Sequence, residues 1–134
     1  MPPTSIKAIK HEFVSLRSVV DENDFAVTVG FCRDPANENT LDALLLQRGR
    51  DKKDQPPSVQ DIYLEIPIQR HVAYGGILEA KLVRDSFTIR FNECTSAKMD
   101  GLQEIVVRFE LSDDAFTKIR DGLRFVFTGC TCYL

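Results

Sequence analysis

Tyr63 and Glu65 are the residues whose types and spacing come closest to doing chemistry. Side chains alternate along a strand, so a phenol and a carboxylate two positions apart share one face. Such a pair can receive a basic side chain from a partner, and Glu65 by itself could act as a general base. His71 and Tyr74 follow closely and complete an imaginable acid–base set. One carboxylate is nevertheless no catalytic constellation. There is no second acid at a useful spacing, no nucleophile elbow and no phosphate loop, since Gly75-Gly76 lacks the glycine spacing of one. The structural alternative is that Glu65 pairs across a sheet with Arg48, Arg70 or Arg90. Gly75-Gly76 itself reads as a β-bulge or a bend where a backbone passes closely, a bend that would present Tyr74 outward as a binding anchor.

Charge points the same way. The net charge is −3, and it is unevenly placed: residues 1–20 sum to +2, residues 21–65 to −5, and residues 66–134 to zero. The acidity gathers around Asp21, Glu22 and Asp24 and around Asp34, Glu38 and Asp42. An acidic surface disfavours nucleic acid and anionic lipid as partners and suits a basic protein. We therefore expect partner contacts from Tyr63, Glu65, Tyr74 and Arg48 and from Asp21, Glu22 and Asp24, with no catalytic residue and no cofactor. Four cysteines (Cys32, Cys94, Cys130 and Cys132) do not make a disulfide framework in a domain of this size. Cys130-x-Cys132 is too short for a zinc knuckle and has no neighbouring histidine, so no metal is expected.

The elements that must position these residues follow from periodicity. A chain of 134 residues, 43% hydrophobic and 28% charged, is read as one globular domain. Its longest apolar run, Ala43 to Leu46, is far too short for a bilayer. The first residues lack the pattern of a secretory signal, which for a complete chain implies a cytoplasmic protein. Residues 1–8 are expected to be disordered, and Gly49–Ser58, all charge, Gly and Pro, to be a surface loop. Strands are expected over Phe13–Val19, Phe25–Phe31 (alternating, with its aromatic and branched residues on the buried face) and Leu41–Gln47, the last central because of its continuous apolarity. Gln60–Gln69 is expected to lie at an edge or to bulge at Pro67. Val72–Val83, broken at the paired glycines, forms a hairpin with Ser86–Phe91, and Leu102–Leu111 is the last strand. One helical turn is expected over Cys94–Asp100. Ser112 caps the one clear helix, with Asp113 and Asp114 in its first turn and Phe116, Ile119, Leu123, Val126 and Phe127 as its apolar stripe. Gly122 inside that helix costs about 1 kcal/mol relative to Ala, so a close approach to the sheet is expected there. The fold class is α+β: a curved, mostly antiparallel sheet of about six or seven strands with one C-terminal amphipathic helix packed on it.

Leu45-Leu46-Gln47-Arg48, Tyr63-x-Glu65, Tyr74-Gly75-Gly76-Ile77, the Leu82–Phe91 hairpin and Leu123-Arg124-x-x-Phe127-x-Gly129 together resemble the tenth family of immunity proteins from bacterial polymorphic-toxin systems. The resemblance covers roughly residues 25–129, and Tyr-Gly-Gly-Ile followed by the hairpin is its most specific part. It implies a cytosolic, non-enzymatic protein that binds and neutralises a cognate toxin domain. The loop 49–58 and the Cys130-x-Cys132 tail lie outside the pattern. A small hydrolase or ligand-binding enzyme centred on Glu65, His71 and Tyr74 is the competing reading, and it requires a concave pocket enclosing all three. A generic interaction module is a third. A homodimer through an exposed sheet edge is compatible with any of them.

Overall fold

The computed structural model describes residues 9–33, 43–50, 61–66 and 71–134. The expected disordered start (1–8), residues 51–58 of the expected loop, and Pro67 lie outside the described residues. Among the described residues, nine strands and two helices run in the order β1 (Ile9–Ser15), β2 (Arg17–Glu22), β3 (Ala26–Cys32), β4 (Ala43–Gly49), β5 (Ile62–Ile66), β6 (His71–Tyr74), β7 (Ile77–Val83), β8 (Ser86–Phe91), α1 (Glu93–Lys98), β9 (Leu102–Phe109) and α2 (Asp113–Val126). The class is α+β, mostly antiparallel with a C-terminal helix, and the strands divide into two sheets. One has the order β1-β9-β8-β7, the other β2-β3-β4-β5-β6. Among the strand pairs of the described residues, β1–β9 is parallel and the others are antiparallel.

The two sheets pack face to face through apolar residues at every second position. Phe31 on β3 stacks on Phe87 of β8 (centroids 5.8 Å apart) and on Phe109 of β9 (5.7 Å). Val29, Leu46, Leu64 and Ile66 from one sheet and Phe87, Ile89, Ile105 and Val107 from the other belong to the same core. Helix α2 covers the remaining inner surface of the five-stranded sheet, over β2, β3 and β4. A Cβ on Gly122 would come within 2.8 Å of Val29 Cγ2 and 3.2 Å of Val20 Cγ1, so the helix lies against the strands at a distance only glycine permits. At its start the Ser112 hydroxyl accepts the Ala115 N–H at 3.2 Å, satisfying one of the free donors of the first turn.

Two corners join the sheets. Between β1 and β2 the chain turns at Leu16, where the buried Ser15 hydroxyl accepts the Cys32 N–H (3.2 Å) and donates to the Arg17 carbonyl (2.8 Å). Between β6 and β7 it turns at Gly75-Gly76, with φ of 70° and 79°. The paired glycines thus hand the chain from one sheet to the other. A Cβ on Gly76 would overlap Thr95 Oγ1 and lie 2.7 Å from Thr95 Cβ, so that position requires glycine for both its conformation and its space. Strand β5 lies between β4 and β6 and is not an edge strand; the other expectation, a bulge at Pro67, falls outside the described residues. β4 is the middle strand of its sheet.

After α2 the tail returns along β7. The Ala80 N–H donates to the Cys132 carbonyl (2.9 Å), the Leu134 N–H donates to the Ala80 carbonyl (2.8 Å), and Tyr133 stacks on Phe127 at 4.9 Å. The Cys130-x-Cys132 segment therefore covers part of the β7 edge.

Candidate partner-binding face

One face of the five-stranded sheet packs on the core; the other carries two registered rows of side chains. The first row reads Asp21, Thr28, Gln47, Tyr63 and Tyr74, one residue from each strand in spatial order. The second reads Val19, Gly30, Leu45, Glu65 and Val72. Strand pleating dictates this: Val29, Leu46 and Leu64 alternate inward, so their neighbours must point out. None of the ten is buried, and Tyr74, Val72 and Val19 are 67%, 54% and 45% exposed.

Within the face, Tyr63 and Tyr74 meet edge to face, with centroids 5.3 Å apart and planes at 61°. The Tyr63 hydroxyl donates to Glu65 Oε1 at 3.5 Å, a long bond. Desolvation, and after it the Glu65 carboxylate, push the Tyr63 phenol above its usual value. The cluster is an aromatic pair beside an acidic side chain, an arrangement suited to a guanidinium or ammonium that lies over a ring while pairing with the acid.

The β2–β3 turn borders this face. Asn23 Oδ1 accepts the N–H groups of Phe25 (2.8 Å) and Ala26 (3.0 Å), which folds the turn tightly. Phe25 is thrown to its tip at 79% exposure. This corrects the expectation that Phe25 belongs to the buried face of its strand: β3 begins at Ala26, and the turn interrupts the alternation first. Glu22 and Asp24 are exposed beside it. A shallow depression lined by Phe25, Ala26, Gln47, Gly49, Asp61, Tyr63 and Tyr74 connects the turn to the tyrosines.

Of the residues expected to contact a partner, the fold thus brings Tyr63, Glu65, Tyr74 and Asp21 onto one face, with Glu22 and Asp24 at its border. Arg48 goes elsewhere. It shares the parity of Leu44 and Leu46, is 6% exposed, and donates from Nη1 to the carbonyls of Val126 (2.8 Å) and Thr128 (2.9 Å). Its Nη2 lies 3.7 Å from Asp61. Arg48 is a corrected expectation: its guanidinium is committed to the end of α2 and is not offered to a partner. Phe25, Leu45, Val72 and Val19 are the large apolar residues of the face and its border that sequence reasoning did not single out. Parity with Tyr63 and Glu65 was the signal for Leu45 and Val72.

Nothing at this face forms an enclosed catalytic site among the described residues. Glu65 does not line the depression beside the tyrosines, and His71 pairs in register with Ile66 while Tyr74 pairs with Tyr63. Among the described residues no three His, Cys, Asp or Glu side chains are grouped to hold a metal. Burial, and secondarily Cys130 beside it, raise the Cys132 thiol above its usual value, which keeps it protonated and a poor ligand or nucleophile. No helix among the described residues is long and apolar enough to cross a membrane.

The family model described as Immunity protein 10 matches residues 14–117, a span that holds both rows of the face and both sheet corners. The chain belongs to that family of immunity proteins. The match reaches back to β1, runs through residues 49–58 and stops within α2, short of the Leu123–Gly129 motif. No curated protein matches the sequence.

Proposed function

We propose that this chain is a cytoplasmic, non-enzymatic protein that binds a cognate bacterial toxin domain and neutralises it by covering it. The observation that carries this reading, alongside family membership, is the outer face of the five-stranded sheet. Its two central rows hold two carboxylates, two tyrosines, three aliphatic side chains and no cation. Exposed aromatic and aliphatic groups on a rigid sheet are the material of binding hot spots. The acidic border, Asp21, Glu22 and Asp24, favours a basic partner surface and speeds encounter with it. Tyr63, Glu65 and Tyr74 are the centre of the contact, and a lysine or arginine of the toxin seats over the rings against Glu65.

Co-expression with the toxin domain encoded by the adjacent reading frame tests this. Rescue of growth is expected only when this chain reaches at least the molar amount of toxin, because a covering protein titrates its target one to one. Rescue at strongly substoichiometric levels would indicate turnover instead. Absence of rescue from every adjacent toxin domain refutes the reading.

A further inference from the structure

We infer that this chain pairs with a second copy of itself through the free edge of the five-stranded sheet, β2 lying antiparallel to β2 of the second copy. Among the described residues, backbone geometry leaves that edge open. At one end of β2 the Asn23 N–H donates to the Ala26 carbonyl (3.1 Å); at the other the Leu16 N–H donates to the Cys32 carbonyl (3.0 Å), and the Ser15 hydroxyl bridges Arg17 and Cys32. Bonded and non-bonded pairs alternate along an antiparallel ladder. Arg17, Val19 and Asp21 therefore direct their peptide groups at β3, while those of Ser18 and Val20 face outward. Between Arg17 and Asp21 there is no proline and no inward-pointing charge, two of the devices that normally blunt an exposed edge.

The side chains select the occupant. Arg17, Val19 and Asp21 lie on the outer face in the order plus, neutral, minus. A two-fold axis through Val19 places Val19 opposite Val19, and Arg17 opposite Asp21 of the second copy, twice. It also makes Ser18 and Val20 the exchanging pair, so the outward peptide groups and the side-chain register agree. Arg17 and Asp21 then fall in non-bonded positions, where side chains approach most closely. A shift by two residues would set a charge opposite Val19 and lose both ion pairs; a shift by one would reverse the faces. Among the described residues neither Arg17 nor Asp21 has an ion-pair partner within the chain. The flank of α2 beside this edge adds Asp114 and Lys118, one charge of each sign, so a second copy meets no block of like charge there. Pairing would join the outer faces into one continuous surface of ten strands, five from each copy. It holds whether or not that face binds a toxin.

Sedimentation of the full chain over a concentration series reaching the millimolar range tests the pairing. The wild type is expected at twice the chain mass. Arg17→Asp and Asp21→Arg should each weaken the dimer about tenfold or more, since two symmetric contacts change from attraction to repulsion. The double reversal restores the pairing. Ser18→Pro, which removes an outward N–H without touching the β3 ladder, should give a monomer with an unchanged circular dichroism spectrum. A single-chain mass at every concentration overturns the inference. So does a dimer that neither single reversal weakens, or one that the double reversal fails to restore.

Discussion

Replacing Arg48 with Met tests the reassignment of that residue from partner contact to internal staple. Methionine keeps most of the aliphatic stem and removes the guanidinium. Two carbonyls at the end of α2, Val126 and Thr128, then lose donors at 2.8 and 2.9 Å, and Asp61 loses the cation 3.7 Å away. Hydrogen bonds to a charged group contribute about 1.5–3 kcal/mol each. The guanidinium also complements the negative end of the helix. Relief of its desolvation offsets part of this, leaving an expected net loss of about 3 kcal/mol. For a domain stable by roughly 5–15 kcal/mol that is a large fraction. Urea unfolding should show the midpoint falling with the slope unchanged, which marks a loss of stability without a change in the surface exposed. Amide exchange should quicken in the last turn of α2 and in residues 129–134, which that turn supports. Lysine, a point charge unable to serve both carbonyls in a fork, should recover at most half the loss. A loss below about 1 kcal/mol for Arg48→Met would refute the staple, because even one such bond contributes more than that.

Two further outcomes follow from local geometry. Gly76→Ala combines a positive φ with overlap on Thr95 and should cost about 3 kcal/mol or more in thermal unfolding; adding Thr95→Gly should recover only the overlap part, and a loss under about 1 kcal/mol would contradict the corner as described. Tyr63 should ionise above the ordinary tyrosine range in phenolate absorbance, and Glu65→Gln should bring it down toward that range. Because its folded value is raised, the folded state is disfavoured as pH climbs above the unfolded value of about 10. Titration of Tyr63 unchanged by Glu65→Gln would contradict the contact.

Strands, helix and helix start were legible because each depends on local pattern. The period-two runs Phe87-x-Ile89-x-Phe91 and Ile105-x-Val107-x-Phe109 became β8 and β9, and the apolar stripe after Ser112 became α2. The division into two sheets was not legible. Val72–Val83 looks like one interrupted strand, and only the distant Ile62 carbonyl and Thr95 side chain make the glycine break a change of sheet. Phe25 misled because its parity continues the buried face of β3, whereas the Asn23 side chain holds Phe25 in the turn and the strand starts one residue later. Arg48 misled for the opposite reason: its parity with Leu44 and Leu46 placed it inside, but its charge suggested the surface. What reconciles that conflict is a helix end 78 residues away in sequence, which no local pattern reveals.

The most direct test of the account is calorimetric binding of this chain to a catalytically inactive form of its proposed cognate toxin domain. Tyr74→Ala and Val72→Asp on the outer face should each weaken binding by about 2 kcal/mol or more, roughly thirtyfold. Lys81→Ala, an exposed position on the four-stranded sheet, should leave it unchanged. Tight binding indifferent to both outer-face substitutions would contradict the claim that this sheet face holds the toxin.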